Sequence, residues 1–302
     1  KLTWMVVMTV APVFGALFYW YTRRDVGHRL LKGVMTERQV QSRHQIDQDS
    51  SVMKALEARA PGAAGMARYV RRSGCFPVFA NTDVTYFPLG ESMFEQLLVE
   101  LEQAEKFIFL EYFILDEGYM WDSILEILKR KAAQGVDVRV MYDGTCEFLL
   151  LPRDYPKHLE GFGIKCQAFA PLEPFVSTHY NYRDHRKILV IDGHTAFTGG
   201  VNLADEYINR YEKYGHWKDT AVMLKGEAVR SFTVMFLQLW SADLRSPEYH
   251  KFVTTPVPER KAAGFVMPYS DSPLDSDRVG EQVYIDLLNR AKKYVHIMTP
   301  YL

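Results

Sequence analysis

The stretch YRDHRKILVIDGHTAFTGGVNLADEYI, residues 182–208, decides how the chain is read. Its His185, Lys187 and Asp192 fit the spacing H-x-K-x4-D, and Lys187–Ile191 has the apolar density of a buried strand. Successive strand side chains alternate faces, so His185 and Lys187 project the same way at the start of that strand. Asp192-Gly193 is a hairpin-turn signal, after which TAFTGG returns as a second strand. Gly199 and Gly200 permit close backbone approach, and Asn202 adds an amide just beyond them. An imidazole, an ammonium, small residues and an amide converging on one edge form a cradle suited to a phosphate.

Upstream, Phe94, Leu97, Leu98 and Leu101 recur at helical spacing within residues 92–105, and KFIFLEYFIL (106–115) follows as a compact strand. Gly118 opens a second helix that ends at Gly135, and VDVRVMYD (136–143) alternates as another strand. Strand, helix, strand with a crossover of this length predicts parallel pairing in an α/β layered domain. Further strands are expected at Ile164–Phe169, Thr195–Thr198 and Thr220–Leu224, with a closing helix from Glu227 to Leu244. The pattern then restarts. EQVYIDLLNRAKKYVHIMTPYL (281–302) echoes EQLLVELEQAEKFIFLEYFIL (95–115), with Ala104 and Ala291 in corresponding places 187 residues apart. This predicts a second α/β half beginning near residue 271.

The N-terminus differs from the rest. Leu2 to Thr22 carries no charged side chain, which is about the length of one membrane-crossing helix. Trp4 stands near one end and Tyr19, Trp20 and Tyr21 near the other, as interfacial aromatic belts would place them. Arg23, Arg24, Arg29, Lys32, Arg38 and Arg43 follow, so the positive-inside rule puts the bulk of the chain in the cytoplasm, anchored to the cell membrane. Over all 302 residues the formal net charge is -1, which gives no sign of a nucleic-acid polyelectrolyte binder. The three cysteines, Cys75, Cys146 and Cys166, lie far apart, and no Cys/His or carboxylate cluster calls for a metal or other cofactor.

H-x-K-x4-D followed by the GG-x-N of residues 199–202 resembles the phospholipase D superfamily. YRDHRKILVIDG (182–193), TGGVNLADEY (198–207) and PYSDSPLD (268–275) look like bacterial cardiolipin synthases in particular, from about Phe76 onward. The resemblance implies an α/β/α sandwich lobe with a mixed sheet, and a histidine that attacks a phosphodiester to form a covalent phosphatidyl-enzyme. A second motif copy supplies the histidine that protonates the leaving alcohol. Carried over, His185 is the nucleophile and Lys187 holds a nonbridging phosphate oxygen. Asp192 braces the motif at the hairpin end, Gly199, Gly200 and Asn202 complete the phosphate site, and Asp219 in HWKDTAV orients the imidazole. The implied partners are the bilayer and anionic phospholipids, phosphatidylglycerol and cardiolipin.

Each of these residues also has a plainer reading. Asn202 is a suitable cap for a helix starting near Ala204, and Asp219 is a suitable partner for a lysine. Glu111 and Tyr112 are weaker site candidates, as are His179, Tyr180, Tyr182 and Arg183 just before the motif. The expected layout is a membrane-crossing helix (1–24), a juxtamembrane connector (25–75), a first phospholipase D-like lobe with the motif (76–270) and the start of a second lobe (271–302). The partner motif would fall near position 372, so the sequence reads as a piece of a two-lobed enzyme; a homo-oligomer pairing two sites is the alternative. A cardiolipin synthase is the leading expectation, ahead of a phospholipase D-type hydrolase, another phosphatidyltransferase, or a catalytically silent scaffold of the same fold.

Overall fold

In the computed structural model, residues 2–23, 26–74, 76–171, 183–213, 215–240, 248–271 and 277–299 are described. Five helices come first: α1 (Leu2–Val10), α2 (Pro12–Arg23), α3 (Val26–Ser42), α4 (Ser50–Arg59) and α5 (Pro61–Gly74). The sheet region then runs β1 (Thr82–Phe87), α6 (Gly90–Glu102), β2 (Phe107–Tyr112), α7 (Tyr119–Ala133) and β3 (Asp137–Asp143). It continues with α8 (Cys146–Leu149), α9 (Tyr155–Glu160), β4 (Lys165–Phe169), β5 (Lys187–Ile191) and β6 (Thr195–Gly199). A turn of 3-10 helix (Asp205–Ile208), β7 (Ala221–Gly226), α10 (Val229–Trp240), α11 (Tyr249–Val253) and α12 (Val279–Arg290) complete the order.

The seven strands form one sheet in the order β1-β7-β6-β5-β2-β3-β4. β2, β3 and β4 are parallel, as the helical crossovers require, while β5 runs antiparallel to β2 and begins the antiparallel half. Alternation along the strands divides the core in two. Ile108, Leu110, Leu189 and Ile191 face α6 and α7 on one side, whereas Phe107, Phe109, Ile188 and Val190 face α10 and α11 on the other. The result is the mixed α/β layering that the motif region implied. β1 was not anticipated; it is an edge strand whose four central residues are exposed.

The expected membrane-crossing helix is not what the structure shows. Residues 2–23 break into α1 and α2, whose 9 and 12 residues rise only about 14 and 18 Å against a hydrocarbon core of about 30 Å. No described helix is long and apolar enough to cross a membrane. The break falls at Ala11-Pro12, where proline has no amide hydrogen to continue the ladder. Gly15 then lets α2 close on α1: a side chain there would stand 2.9 Å from Met8 Cα and Val7 O. The aromatic residues read as two separate belts instead meet, with Trp4 5.6 Å from Phe18 and 5.4 Å from Tyr19 between ring centroids.

The segment expected as a connector folds as α3, α4 and α5. α3 is tied to α10 by the Gln238 amide donating to Ser42 Oγ at 2.7 Å, and α4 and α5 enclose a small core with Val78, Phe265 and Met267. Past residue 271, α12 forms where the repeat predicts a helix, but residues 294–299 form no strand. Of α12 only Val279 is buried, while Tyr284, Ile285, Leu287 and Leu288 are exposed.

Candidate active site

β2 and β3 end, and the antiparallel β5 begins, at the same edge of the sheet. Tyr112 at the end of β2 is in register with Lys187 at the start of β5, so Phe113, Asp143 and His185 emerge together. On the other side of β5, Gly199 at the end of β6 pairs with Ala221 at the start of β7, which brings in Gly200 and Asp219. The edge where parallel strands end, next to a reversal of strand direction, is the usual crevice of an open α/β sheet.

His185 is exposed at this edge and Lys187 is buried beneath it. Lys187 Nζ lies 3.2 Å from His185 Nδ1 and donates to the His185 carbonyl oxygen at 2.7 Å. His185 Nε2 has no hydrogen-bond partner among the described residues. Phe113 serves as a floor for both groups: its ring centroid is 4.5 Å from the imidazole and 5.2 Å from the ammonium. Burial and the adjacent Lys187 charge hold His185 below the ordinary histidine range, opposed by Asp184 and Asp143. Burial also pulls Lys187 down to about 8, against the attraction of Asp184 and Asp219. The imidazole is thus kept neutral at neutral pH, as a nitrogen nucleophile must be, and the ammonium is kept ready to shed its proton mildly above it.

The glycine pair makes room for Asp219. A side chain on Gly200 would come within 2.0 Å of Asp219 Oδ1, and one on Gly199 within 2.4 Å of Thr220 O. Asp219 Oδ1 accepts from the Thr220 amide at 2.8 Å, and its charge is felt by Lys187, while Asp184 and Asp143 are the carboxylates felt by His185. Asn202 is neither a helix cap nor aimed into the edge. Its Oδ1 accepts from Ile114 N at 3.0 Å and its Nδ2 donates to Tyr207 Oη at 2.8 Å, both deep in the protein. It ties the exit of β2, and so Phe113, to the glycine loop. Asp192 lies at the far end of β5 from His185, where its carboxylate accepts from the amides of Glu105, Lys106 and Phe107 at 2.7–2.8 Å. It fastens the hairpin to the start of β2, at the end of β5 away from His185.

Phe113, Asp143, Asp184 and Arg186 escaped the sequence reading, while Glu111 and Arg183 were among its weaker candidates. Asp143 accepts from the Asp184 amide at 3.2 Å and from Thr145 N and Oγ1, and it pairs with Arg183 at 3.5 Å. Arg186 contacts Glu111 directly and Asp184 at 3.3 Å. The one carboxylate inside the otherwise apolar β2 was a usable signal for Glu111; nothing local marks Phe113 or Asp143. Tyr112 is fully buried and does not reach the edge as a polar group. His179, Tyr180 and Tyr182 lie outside the described residues.

The sheet edge thus presents a strand-edge imidazole with a lysine two residues on, floored by an aromatic ring, with a carboxylate packed over Gly200 near the lysine. Residues 97–240 match the family model described as cardiolipin synthase, PLD-like domain. A cardiolipin synthase of Geobacillus kaustophilus is 31% identical over 315 residues, covering 99% of this chain and 60% of the relative. An uncharacterized protein of Streptococcus mutans serotype c is 54% identical over 301 residues, covering 100% of this chain and 65% of that protein. In fold, the phosphatidylserine synthase of Haemophilus influenzae is similar, with a TM-score of 0.51 at 15% identity, over 76% of this chain and 58% of the other. Residues 97–240 thus form a PLD-like domain of the cardiolipin synthase type. The chain spans about 60–65% of the length of these curated relatives.

Proposed function

We propose that the protein is a phosphatidyltransferase, specifically a cardiolipin synthase, in which His185 is the nucleophile. A nitrogen lone pair of His185 attacks phosphorus of one phosphatidylglycerol, and the bond from phosphorus to the headgroup glycerol oxygen breaks. That oxygen leaves with the electron pair and takes a proton from an acid, releasing glycerol. A hydroxyl of a second phosphatidylglycerol then gives its proton to the conjugate base of that acid, attacks the same phosphorus and displaces the imidazole, which recovers its electron pair. Lys187 holds a nonbridging oxygen throughout, and splitting the exchange in two lets one alcohol replace another through a covalent intermediate. Asp219, lying over Gly200, balances the Lys187 charge.

The single observation that carries this reading is the 3.2 Å pairing of a lowered His185 with a buried Lys187 at the open sheet edge. On the same reading residues 76–270 form the nucleophile-bearing lobe and residues 271–302 open a second one; the exposed apolar side chains of α12 support a missing covering layer. The water-insoluble substrates place the work at a bilayer surface, and the exposed Val10, Val13, Phe14 and Leu17 of the N-terminal hairpin suit contact with it. The test is to feed full-length protein phosphatidylglycerol in mixed micelles. Cardiolipin and glycerol in equal amounts, lost in His185→Ala, are expected. Phosphatidic acid without cardiolipin would make it a hydrolase, and no turnover of any phospholipid would leave a silent scaffold.

A further inference from the structure

Face alternation puts Arg186 opposite His185 and Lys187, and there its half-buried side chain, 21% exposed, turns onto two buried carboxyls. Its guanidinium contacts the carboxyl of Glu111, which is 0% exposed at the centre of the sheet, and lies 3.3 Å from Asp184 Oδ1. The Arg186 backbone amide also donates to Asp184 Oδ1, at 3.2 Å. Asp184 is itself 5% exposed and is fixed from the other side by its amide donating to Asp143. One half-buried cation and two buried carboxyls therefore stand together behind the imidazole. Two buried carboxylates against one guanidinium would leave a net negative charge in a low-dielectric site, at a cost of several kcal/mol. The economical state has one proton between the carboxyls. Burial drives Glu111 well up from its ordinary value, with Asp184 adding to the rise and Arg186 opposing it, so Glu111 holds that proton. Glu111 Oε2 and Asp184 Oδ2 have no hydrogen-bond partner among the described residues.

We propose that Arg186, clamped between Asp184 and Glu111 on the far face of β5, is a positioning residue that sets both the aim and the charge state of the His185 imidazole. Its positive charge cancels Asp184, the carboxylate next to His185 in the chain. Without that cancellation the negative charge would favour the imidazolium, which has no lone pair to attack phosphorus. The other charged groups facing His185 are Lys187 on its own strand, Asp143 from β3 with Arg183 upon it, and Asp219 acting through Lys187. Just past β2, the uncharged ring of Phe113 packs against His185.

The inference rests on the reading of His185 as nucleophile for its effect on turnover, but its test does not need turnover. Diethylpyrocarbonate labels neutral imidazole, so the pH dependence of His185 labelling in full-length protein, read by peptide mass spectrometry, reports the imidazole without any lipid. Asp184→Asn should move the labelling midpoint down, and Arg186→Met should move it up, each by about half a pH unit or more. Glu111→Gln, which replaces one neutral group by another, should leave it in place, and Arg186→Lys should restore the wild-type midpoint. Midpoints that stay at the wild-type value in Asp184→Asn and Arg186→Met, or that move in the same direction, would overturn the proposal. Should Arg186→Met fail to fold, Asp184→Asn alone decides, because its amide keeps the size and the hydrogen-bond acceptor of the aspartate.

Discussion

At the level of single residues, the His185–Lys187 pair fixes the pH behaviour. His185 must be neutral and Lys187 charged, so kcat/KM should be bell-shaped, with an acid limb below the ordinary histidine value of 6.5 and an alkaline limb near pH 8. Lys187→Arg should push the alkaline limb out of range, since guanidinium keeps its proton. A limb that stays near pH 8 in that variant would assign it to another group. Lys187 also carries a stability cost. Its folded value of about 8 lies below the usual 10.5, so the unfolded chain binds the proton more tightly. The cost is full below pH 8 and is relieved as pH rises from 8 to 10.5. Lys187→Met should therefore abolish transfer and yet stabilise the fold at pH 7, by on the order of 2–3 kcal/mol, in urea denaturation. Residues that act through strand periodicity, His185 and Lys187, were legible because two-residue alternation is local. Phe113 and Asp143 were not, because the pairing of β5 with β2, and of β2 with β3, brings them in from far earlier in the chain, whereas Glu111 was marked by its charge inside the apolar β2. Asn202 was placed in the right loop and given the wrong partner: the identity of an amide does not reveal which backbone it will meet.

At the level of elements, the β5–β6 hairpin is the piece whose chemistry was most readable. Asp192 and Gly193 have φ of 52° and 71°, left-handed conformations in the tight loop between the paired Ile191 and Thr195. The Asp192 carboxylate then fastens the turn to the start of β2 through three amides. Asp192→Ala should cost about 2–4 kcal/mol, since it strands buried amides, and should lower Tm. Below its melting transition the variant should still show wild-type diethylpyrocarbonate labelling at His185; altered labelling there would return Asp192 to the reacting set. Element boundaries in the α/β region followed from apolar period and turn residues. β1 escaped because an exposed edge strand has no buried face to betray it. The N-terminal segment was misread for a different reason: hydropathy reports length and apolarity, but the Pro12 break and the Gly15 contact depend on backbone geometry.

For the whole molecule, the repeat at residues 281–302 is met by a helix that lies on the surface with its apolar side chains uncovered. If α12 belongs to a second lobe, Ile285→Lys with Leu288→Lys should leave the Tm of residues 1–302 unchanged and reduce binding of a hydrophobic dye. A large drop in Tm would instead make these side chains part of the first lobe's own core. The central claim is that His185 bonds covalently to phosphorus. Its most direct measurement is to mix full-length protein with phosphatidylglycerol labelled at phosphorus, quench within one turnover into alkaline detergent, and map the label by peptide mass spectrometry. The expected result is a phosphoramidate on the peptide holding His185, absent from His185→Ala. Label on a different residue, or an intermediate that survives in His185→Ala, would contradict it.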